Sequence, residues 1–445
     1  MFLEFPDFVL SMMQKLSAKG FEAYLVGGCV RDAVLGMIPH DYDIATNARP
    51  EQIIDLFGSE NCSEYGRAFG TVCVHDADHH SAEITTYRTE TDYRDFRHPA
   101  QVFFADHIRE DLCRRDFTCN AMAWCPETGL LDLYHGREDL EQNILRCVGV
   151  PSARFREDAL RILRAMRFCA KLYLKPEILT HSAMLAGAFR LQSISAERVF
   201  SELCNMLLGE NITEVLLAYP DILSVWIPEI MPCIAFSQHT RHHDFTVWEH
   251  TARAVGNAPQ DLTIRMTMLL HDLAKPGCYK MDAEGGHFKT HAEKGAVMAD
   301  RILTRLKADN HMRKQVSRLI YYHRRTPASL PEVRKTISQI GYADFALLLK
   351  IFETDRISKL RSQPESGEKI RKAEKFMQTC QEQKLCCSLK ELAINGHDIA
   401  DLGFRGEEIK FMLQKALDIV ISEKYPNQKE ILLDFAKNIR EESSL

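Results

Sequence analysis

The chain has 445 residues, enough for two to four domains, and its 56 basic against 62 acidic residues give a net charge of −6, which excludes RNA binding by global charge and requires a local patch. Fourteen cysteines without one CxxC argue against a disulfide framework or a zinc ribbon and for reduced thiols in a cytoplasm. The opening MFLEFPDFVLSMMQKL carries Glu4 and Asp7 where a signal peptide is basic, and no apolar run reaches membrane-spanning length, so a soluble chain with no membrane partner is expected.

Phe8 to Leu16 has the periodicity of an amphipathic helix, stopped at Lys19-Gly20, and leads into a strand over Glu22–Val26. The stretch YLVGGCVRDAVLGMIPHDYDIAT, Tyr24 to Thr46, then reads as strand, glycine turn, short helix, loop and second strand. Gly27 and Gly28 leave a turn without side chains, so backbone N–H groups at the helix start can approach a phosphate. Arg31 adds a planar fork of donors for phosphate oxygens. Asp41 and Asp43, two apart on a strand, share one face, and paired carboxylates facing a triphosphate call for Mg2+. Neither GxxxxGK[ST] nor GxGxxG occurs, so this is neither a P-loop nor a dinucleotide fingerprint.

NARPEQIIDLF predicts a second helix on the sheet, and Thr71–His75 with Ala82–Tyr87 predict a hairpin that sets Glu83, Thr85 and Tyr87 on one face. Glu83 is the candidate third carboxylate, with an ordinary exposed strand acid as the competing reading. Tyr87 to Pro99, YRTETDYRDFRHP, is polar and predicts a mobile loop. DLCRRDFTCNAMAW passes from a charged cluster to an apolar segment, and LLDLYHGREDLEQNILRCVG supplies a further strand, turn and helix start.

LVGGCVRDAVLG followed by DYDIAT resembles the signature of the class II tRNA nucleotidyltransferases, the family of CCA-adding enzymes and bacterial poly(A) polymerases. RRDFTCNA is similar to that family's RRDFTINA motif and departs from it at Cys119. The resemblance implies that Arg115 touches the nucleotide, that Asp116 and Asn120 organise the site, and that the loop at Tyr87–Pro99 belongs to an enzyme able to add the terminal A.

Arg154 to Phe168, RFREDALRILRAMRF, predicts one helix with Leu160, Leu163 and Met166 in the core, and Asp158 and Arg161, three apart, then share a face. An aspartate facing the amino group of cytosine or adenine, with an arginine facing the ring nitrogen, would admit CTP and ATP and reject UTP and GTP. The pattern resembles the family's EDxxR motif, which implies that Arg164 and Arg167 are further nucleotide contacts. From Arg146 to Arg190 nine Lys/Arg stand against three Asp/Glu, the local basic patch that phosphate contacts need. ISAERVFSELCNMLL resembles the SxERxxxEL neck motif, with Ser195 as a cap and Glu197 and Arg198 as structural residues.

The remainder is helical by periodicity and carries an ordered histidine series: His250, His271-Asp272 in LLHDLAKP, His291, His323, and then Asp355. His and Asp at one helix end can supply a nitrogen and an oxygen to a divalent cation, transition metals included, with His250 and Asp355 completing the set. HDLAKP is similar to the HD phosphohydrolase signature, and His250, His271, Asp272 and Asp355 match its H…HD…D order; His291 and His323 are open between ligand and phosphate donor. That resemblance implies a secondary phosphatase or cyclic phosphodiesterase activity. LAINGHDIADLGFRGEEIKFMLQKALDIV resembles the module that holds the tRNA elbow, and His397-Asp398 within it reads as a helix start.

The expected fold is α+β: a small mixed-sheet nucleotidyltransferase head over 1–145, an all-α neck over 146–210, an HD-type body over 211–370 and a helical tail over 371–445. The expected activity is template-independent addition of the 3′-terminal CCA to tRNA from CTP and ATP, with no obligatory protein partner implied. Poly(A) polymerase, an A-adding or CC-adding specialist, and an HD hydrolase with an RNA-binding head are the alternatives.

Overall fold

The computed structural model describes residues 3–63, 66–67, 70–93, 99–238, 244–282, 285–359 and 366–443. The chain is mixed α+β, with the main sheet near the N-terminus and helices thereafter, and divides into two compact units, Met1–Pro228 and Glu229–Leu445.

In the first unit, α1 (Asp7–Ala18) buries Val9, Met12, Met13 and Leu16 on one stripe, as its periodicity requires. It is followed by β1 (Ala23–Val26), α2 (Gly28–Val34), β2 (Asp43–Thr46) and α3 (Pro50–Phe57). Pro50 opens α3, where its missing N–H is not needed, and Gln52 accepts the Arg49 N–H at 2.8 Å. β3 (Cys62–Ser63), β4 (Thr71–His75) and β5 (Ser81–Thr86) complete one half of a seven-stranded sheet; β8 (Met122–Cys125) and β9 (Gly129–Asp132) complete the other. The order is β3-β4-β5-β2-β1-β8-β9, with β2 and β5 parallel and the other pairs antiparallel. The parallel pair sets Asp43 opposite Glu83 and Ile44 opposite Ile84. Ile44 and Ile84 are fully buried, so the alternation of the pleat sends Asp43, Ala45 and Glu83 to the other face. There Ala45 packs with Ile108 and Leu112 of α4 (Ile108–Cys113), which brings α4 and the residues after it against the acids.

The loop expected over Tyr87–Pro99 is corrected: β6 (Arg88–Tyr93) pairs antiparallel with β7 (Pro99–Phe104) as a two-stranded ribbon. Its polar composition gave no strand signal because the pairing partner lies in the next stretch of chain; residues 94–98 of that expected loop lie outside the described residues.

α5 (Gly136–Glu141) leads into β10 (Ile144–Leu145), which pairs parallel with β11 (Lys175–Pro176). The single helix expected over Arg154–Phe168 is two: α6 (Pro151–Glu157) and α7 (Leu160–Leu172). Asp158 between them is extended, at φ −139° and ψ 105°, and its carboxylate accepts the Leu160 N–H at 3.0 Å, so the aspartate interrupts one helix and helps start the next. The shared helical face expected for Asp158 and Arg161 therefore does not form. Leu160, Leu163 and Met166 are buried as expected, and α7 packs on α9 (Ala196–Leu207), with α8 (Ile178–Gly187) beside α6. Ser195 is the residue before α9, without a side-chain cap bond. Two short helices, α10 (Ile212–Ala218) and α11 (Pro220–Ser224), end the unit.

The second unit begins with α12 (Val247–Asn257), closed by a capping box in which Thr246 accepts the Glu249 N–H and Glu249 accepts the Thr246 N–H. α13 (Leu262–Leu270) is buried from Ile264 to Leu270, which makes it an internal helix and places His271 and Asp272 at its C-terminal end. The strand pair β12 (Lys280–Asp282) and β13 (Gly285–His287) precedes α14 (His291–Arg305), α15 (Asn310–Tyr322) and the long α16 (Leu330–Ser358). α16 is broken at Gly341, whose φ of 81° and ψ of 165° no helix contains. α17 (Glu368–Glu382), α18 (Gly396–Asp401), α19 (Glu407–Ile421) and α20 (Lys429–Ser443) form the tail, the last three around a core of Ile399, Met412, Leu417 and Leu432. Asn395 accepts the N–H groups of His397 and Asp398, so this second His-Asp pair is a helix start, as its sequence implied. No described helix is long and apolar enough to cross a membrane.

Candidate active sites

The first site lies where β2 and β5 run side by side. Asp43 and Glu83 are register partners, Glu83 N–H donates to the Tyr42 carbonyl at 3.0 Å, and exposed Asp41 precedes β2. Burial pushes the Asp43 carboxyl up to about 6; Arg115 opposes that shift, and Glu83 and Asp41 add to it. Glu83, Asp41 and Asp111 are thus close enough to act on Asp43, and the Arg115 guanidinium acts against them.

Gly27 explains why the turn has no side chain. Its φ is +74°, and a Cβ there would lie 2.8 Å from Arg115 Nη1 and 3.7 Å from Asp43 Oδ2. Gly28, the first residue of α2, is followed by Arg31, whose Nη1 donates to Asn120 Oδ1 at 2.8 Å and whose Nη2 pairs with Asp32 at 2.6 Å.

Arg115 is held by a residue the sequence reading passed over. Asp111, fully buried on α4, takes Arg114 Nη2 at 2.6 Å on one oxygen and Arg115 Nη2 at 3.0 Å on the other. Burial works against the ionised Asp111, but Arg115 and Arg114 hold it below the usual carboxylate range. The D-x-x-R-R spacing, i to i+3 and i+4 on a helix, is the signal that would have found it. Asp116, also buried, accepts from Asn120 Nδ2 at 3.1 Å and from Arg164 Nε at 2.7 Å, and Arg164 and Asn120 win over burial to keep it ionised. The chain Arg31, Asn120, Asp116, Arg164 therefore joins α2, the turn over Thr118–Asn120 and α7 in one hydrogen-bonded network.

Asp158 and Arg161 are each held by other groups. Asp158 Oδ2 accepts from Arg198 Nη2 at 2.8 Å, so Arg198, read from sequence as structural, grips the expected base reader directly. Arg161 Nη1 donates to Glu157 at 2.6 Å and Nη2 to the Arg114 carbonyl at 3.0 Å. Arg167 Nε donates to Glu202 at 2.7 Å. Glu202 and Arg198 both lie on α9, within the SxERxxxEL segment.

The second site is in the other unit. His250 and His271 meet Nε2 to Nε2 at 3.3 Å, and His291 and His323 do the same at 3.3 Å. In all four rings Nδ1 faces a backbone carbonyl: Ser358 O at 3.2 Å, Met268 O at 2.7 Å, Phe288 O at 2.6 Å and Ile320 O at 2.6 Å. A carbonyl only accepts, so Nδ1 carries the proton and a neutral ring leaves Nε2 bare. Burial, against the pull of Asp272, lowers His291 to about 4, which keeps that ring neutral at pH 7.

Asp272 stands between the two pairs. Its Oδ2 lies 3.1 Å from His271 Nε2 and 3.5 Å from His250 Nε2; its Oδ1 lies 3.7 Å from His291 Nε2 and 3.8 Å from His323 Nε2. Burial opposes its charge, yet Lys275, with Nζ 2.6 Å from Oδ2, helps to hold it well below the usual range. Asp355 Oδ1 is 3.2 Å from His250 Nε2 and its Oδ2 is 2.6 Å from Lys359 Nζ. Two triads result, His250/His271/Asp272 and Asp272/His291/His323, each with its ligand atoms within 4.8 Å of one another. Paired bare nitrogens around a buried carboxylate repel in the absence of a cation and suit a divalent ion, so the donor set fits a metal. Lys275, three residues after Asp272 in HDLAKP, was the residue here that sequence reading missed.

Residues 23–146 match the family model described as Poly A polymerase head domain, and residues 289–436 match one described as tRNA nucleotidyltransferase domain 2. A protein of Streptococcus suis named CCA-adding enzyme is 47% identical over 207 residues, covering 46% of this chain and 50% of that one. The chain spans about half the length of the curated relatives it matches, 50% in the Streptococcus and Lactococcus proteins. A crystal structure of the Bacillus stearothermophilus CCA-adding enzyme in complex with CTP is similar at 27% identity and TM-score 0.75, over 99% of this chain and 100% of that one. The Thermotoga maritima CCA-adding enzyme complexed with tRNA shares the fold at TM-score 0.57 and 18% identity, over 97% of this chain and 94% of that one.

Proposed function

We propose that this chain is a template-independent nucleotidyltransferase that completes the 3′-terminal CCA of tRNA from CTP and ATP. The observation that carries the reading is the register pairing of Asp43 with Glu83 beside a glycine turn against which Arg115 is packed. The naming of the similar proteins as CCA-adding enzymes supports it, as does the CTP or tRNA bound in two of their structures.

Asp41, Asp43 and Glu83 would hold Mg2+, and the raised carboxyl of Asp43 fits that role because a cation would offset the burial, and after it the neighbouring acids, that raise it. A cation held by these three carboxylates would supply Lewis-acid chemistry, acidifying the attacking hydroxyl and offsetting charge on the phosphates. In the reaction the RNA 3′-oxygen forms a bond to the α-phosphorus, the bond to the β-phosphate oxygen breaks, and pyrophosphate leaves. Gly27, Gly28, Arg31 and Arg115 receive the triphosphate, with Asp116 and Asn120 fixing the arginines. Asp158 and Arg161 read the base, and Arg164 and Arg167 add positive charge. With all four nucleotides supplied together, the wild type incorporates C and A and excludes U and G; Asp158→Ala admits U while retaining turnover. Unchanged rejection of UTP by that variant would remove Asp158 from base choice.

The four inward Nε2 atoms around Asp272 favour a second activity, metal-dependent hydrolysis of a phosphate ester. His250, His271, Asp272 and Asp355 would hold one divalent cation and Asp272, His291 and His323 another, a reading in which His291 and His323 serve as ligands. A cation bound there supplies an activated water. Lys275 and the four Nδ1 bonds hold the ligands in place. A 2′,3′-cyclic nucleotide is the test substrate: hydrolysis lost on chelation and restored by added metal supports the reading, and full hydrolysis by the metal-stripped chain contradicts it.

A further inference from the structure

Three of the arginines expected to bind nucleotide converge on one aromatic ring. Phe168 on α7 is 3% exposed, and the guanidinium carbons of Arg167, Arg31 and Arg164 lie 4.4, 5.2 and 5.7 Å from its centroid. Phe117 meets the same ring edge-on, at 5.7 Å between centroids and 81° between planes, and pins its orientation. Arg31 comes from α2 and the other two from α7, so the ring joins the glycine-turn end of the site to the neck end.

Each guanidinium also has a carboxylate: Asp32 for Arg31, Asp116 for Arg164 and Glu202 for Arg167. A carboxylate fixes an arginine but cancels the charge that a phosphate must use. An aromatic face attracts the same cation through its quadrupole and carries no net charge, so it orients a guanidinium without neutralising it. It also offsets the mutual repulsion of three like charges gathered in a small volume. An aliphatic side chain of similar size would fill the space and do neither.

We propose that Phe168 is a positioning residue for the nucleotide, stacking Arg31, Arg164 and Arg167 so that the three guanidiniums keep their orientation when a triphosphate competes with their carboxylates for them. The proposal rests on the nucleotidyltransferase reading. A residue that merely fills the core would depend on the ring's shape, whereas this role depends on its electrostatics.

The test is a series of full-length chains carrying phenylalanine, monofluoro-, difluoro- and trifluorophenylalanine at position 168, which drains the ring face with little change of shape. The expected result is a stepwise rise in KM for CTP and ATP, reaching about fivefold at trifluoro, with kcat within about twofold throughout. Phe168→Leu raises KM at least as far, and Phe168→Tyr, which keeps the ring, stays near wild type. A flat KM across the series overturns the proposal, and so does a Tyr variant as impaired as Leu. Turnover by the wild type in the same assay judges the underlying reading separately: without incorporation, that reading falls and the proposal with it.

Discussion

Asp43 is a carboxylate in surroundings that disfavour its charge, and this has consequences at two pH values. Its carboxyl is raised from 3.8 to about 6, first by burial and then by Glu83 and Asp41. The folded chain therefore holds a proton that the unfolded chain has lost, and metal-free stability falls as pH rises from about 4 through 6. Asp43→Asn removes that penalty: its metal-free melting temperature exceeds the wild type's at pH 8, the difference disappears below pH 4, and Mg2+ narrows it at pH 8. Equal melting temperatures at pH 8 would mean that the carboxylate is not strained. Gly27→Ala acts differently, since its Cβ would meet Arg115 Nη1 at 2.8 Å and force the arginine to shift. Nucleotide addition should fall about a hundredfold, the scale of a misplacement near 1 Å, and the backbone at φ +74° adds a stability loss of about 1–3 kcal/mol in denaturant melts. The glycine pair and Asp43 could be read from sequence, whereas Asp41 lies in a bend before β2, so the shared strand face expected for the two aspartates is not formed. Asp111 was readable at helical spacing and was passed over. Arg198 was not readable as a partner of Asp158, because forty positions of chain separate them and only packing of α7 on α9 brings them together.

Among the elements, two predictions from local pattern failed for physical reasons that differ. The ribbon of β6 and β7 is stabilised by pairing with a later stretch, which polar composition does not reveal. The apolar period that predicted one helix over Arg154–Phe168 belongs to α7, which buries Leu160, Leu163 and Met166, while α6 buries Phe155 and the extended Asp158 separates the two. Most other elements followed their signals: Pro50 opening α3, Asn395 capping α18, and α13 buried nearly all round. The break in α16 makes its own prediction. Gly341 sits at φ 81° and ψ 165°, and a Cβ there meets nothing within 4 Å, so Gly341→Ala is strained by its backbone alone. The variant should lose about 1–3 kcal/mol of stability in denaturant melts of the whole chain. A loss below about 0.3 kcal/mol would show that the break is not required.

At the scale of the whole molecule, the two candidate sites fall in different units and carry different donor sets, acids and arginines in one and histidines around Asp272 in the other, so the two proposed activities should be separable. Asp43→Ala removes nucleotide addition and leaves cyclic-phosphate hydrolysis intact; Asp272→Ala does the reverse. If Asp272→Ala also stops nucleotide addition in a folded chain, the two sites are not independent. The H…HD…D order was legible without a structure, but the sharing of Asp272 between two histidine pairs was not, since four helix ends must meet for it to arise. The division at Pro228 was also hidden, because the helical period continues on both sides. The central claim is that this chain builds a three-nucleotide end on tRNA with Asp43 at the reaction centre. The direct measurement is extension of a tRNA lacking its CCA, with CTP alone, ATP alone and both, by the wild type and by Asp43→Ala. Addition that stops at three nucleotides with both substrates, and is lost in the variant, is the predicted result. Long adenylate tails from ATP alone, or no incorporation by the wild type, would contradict it.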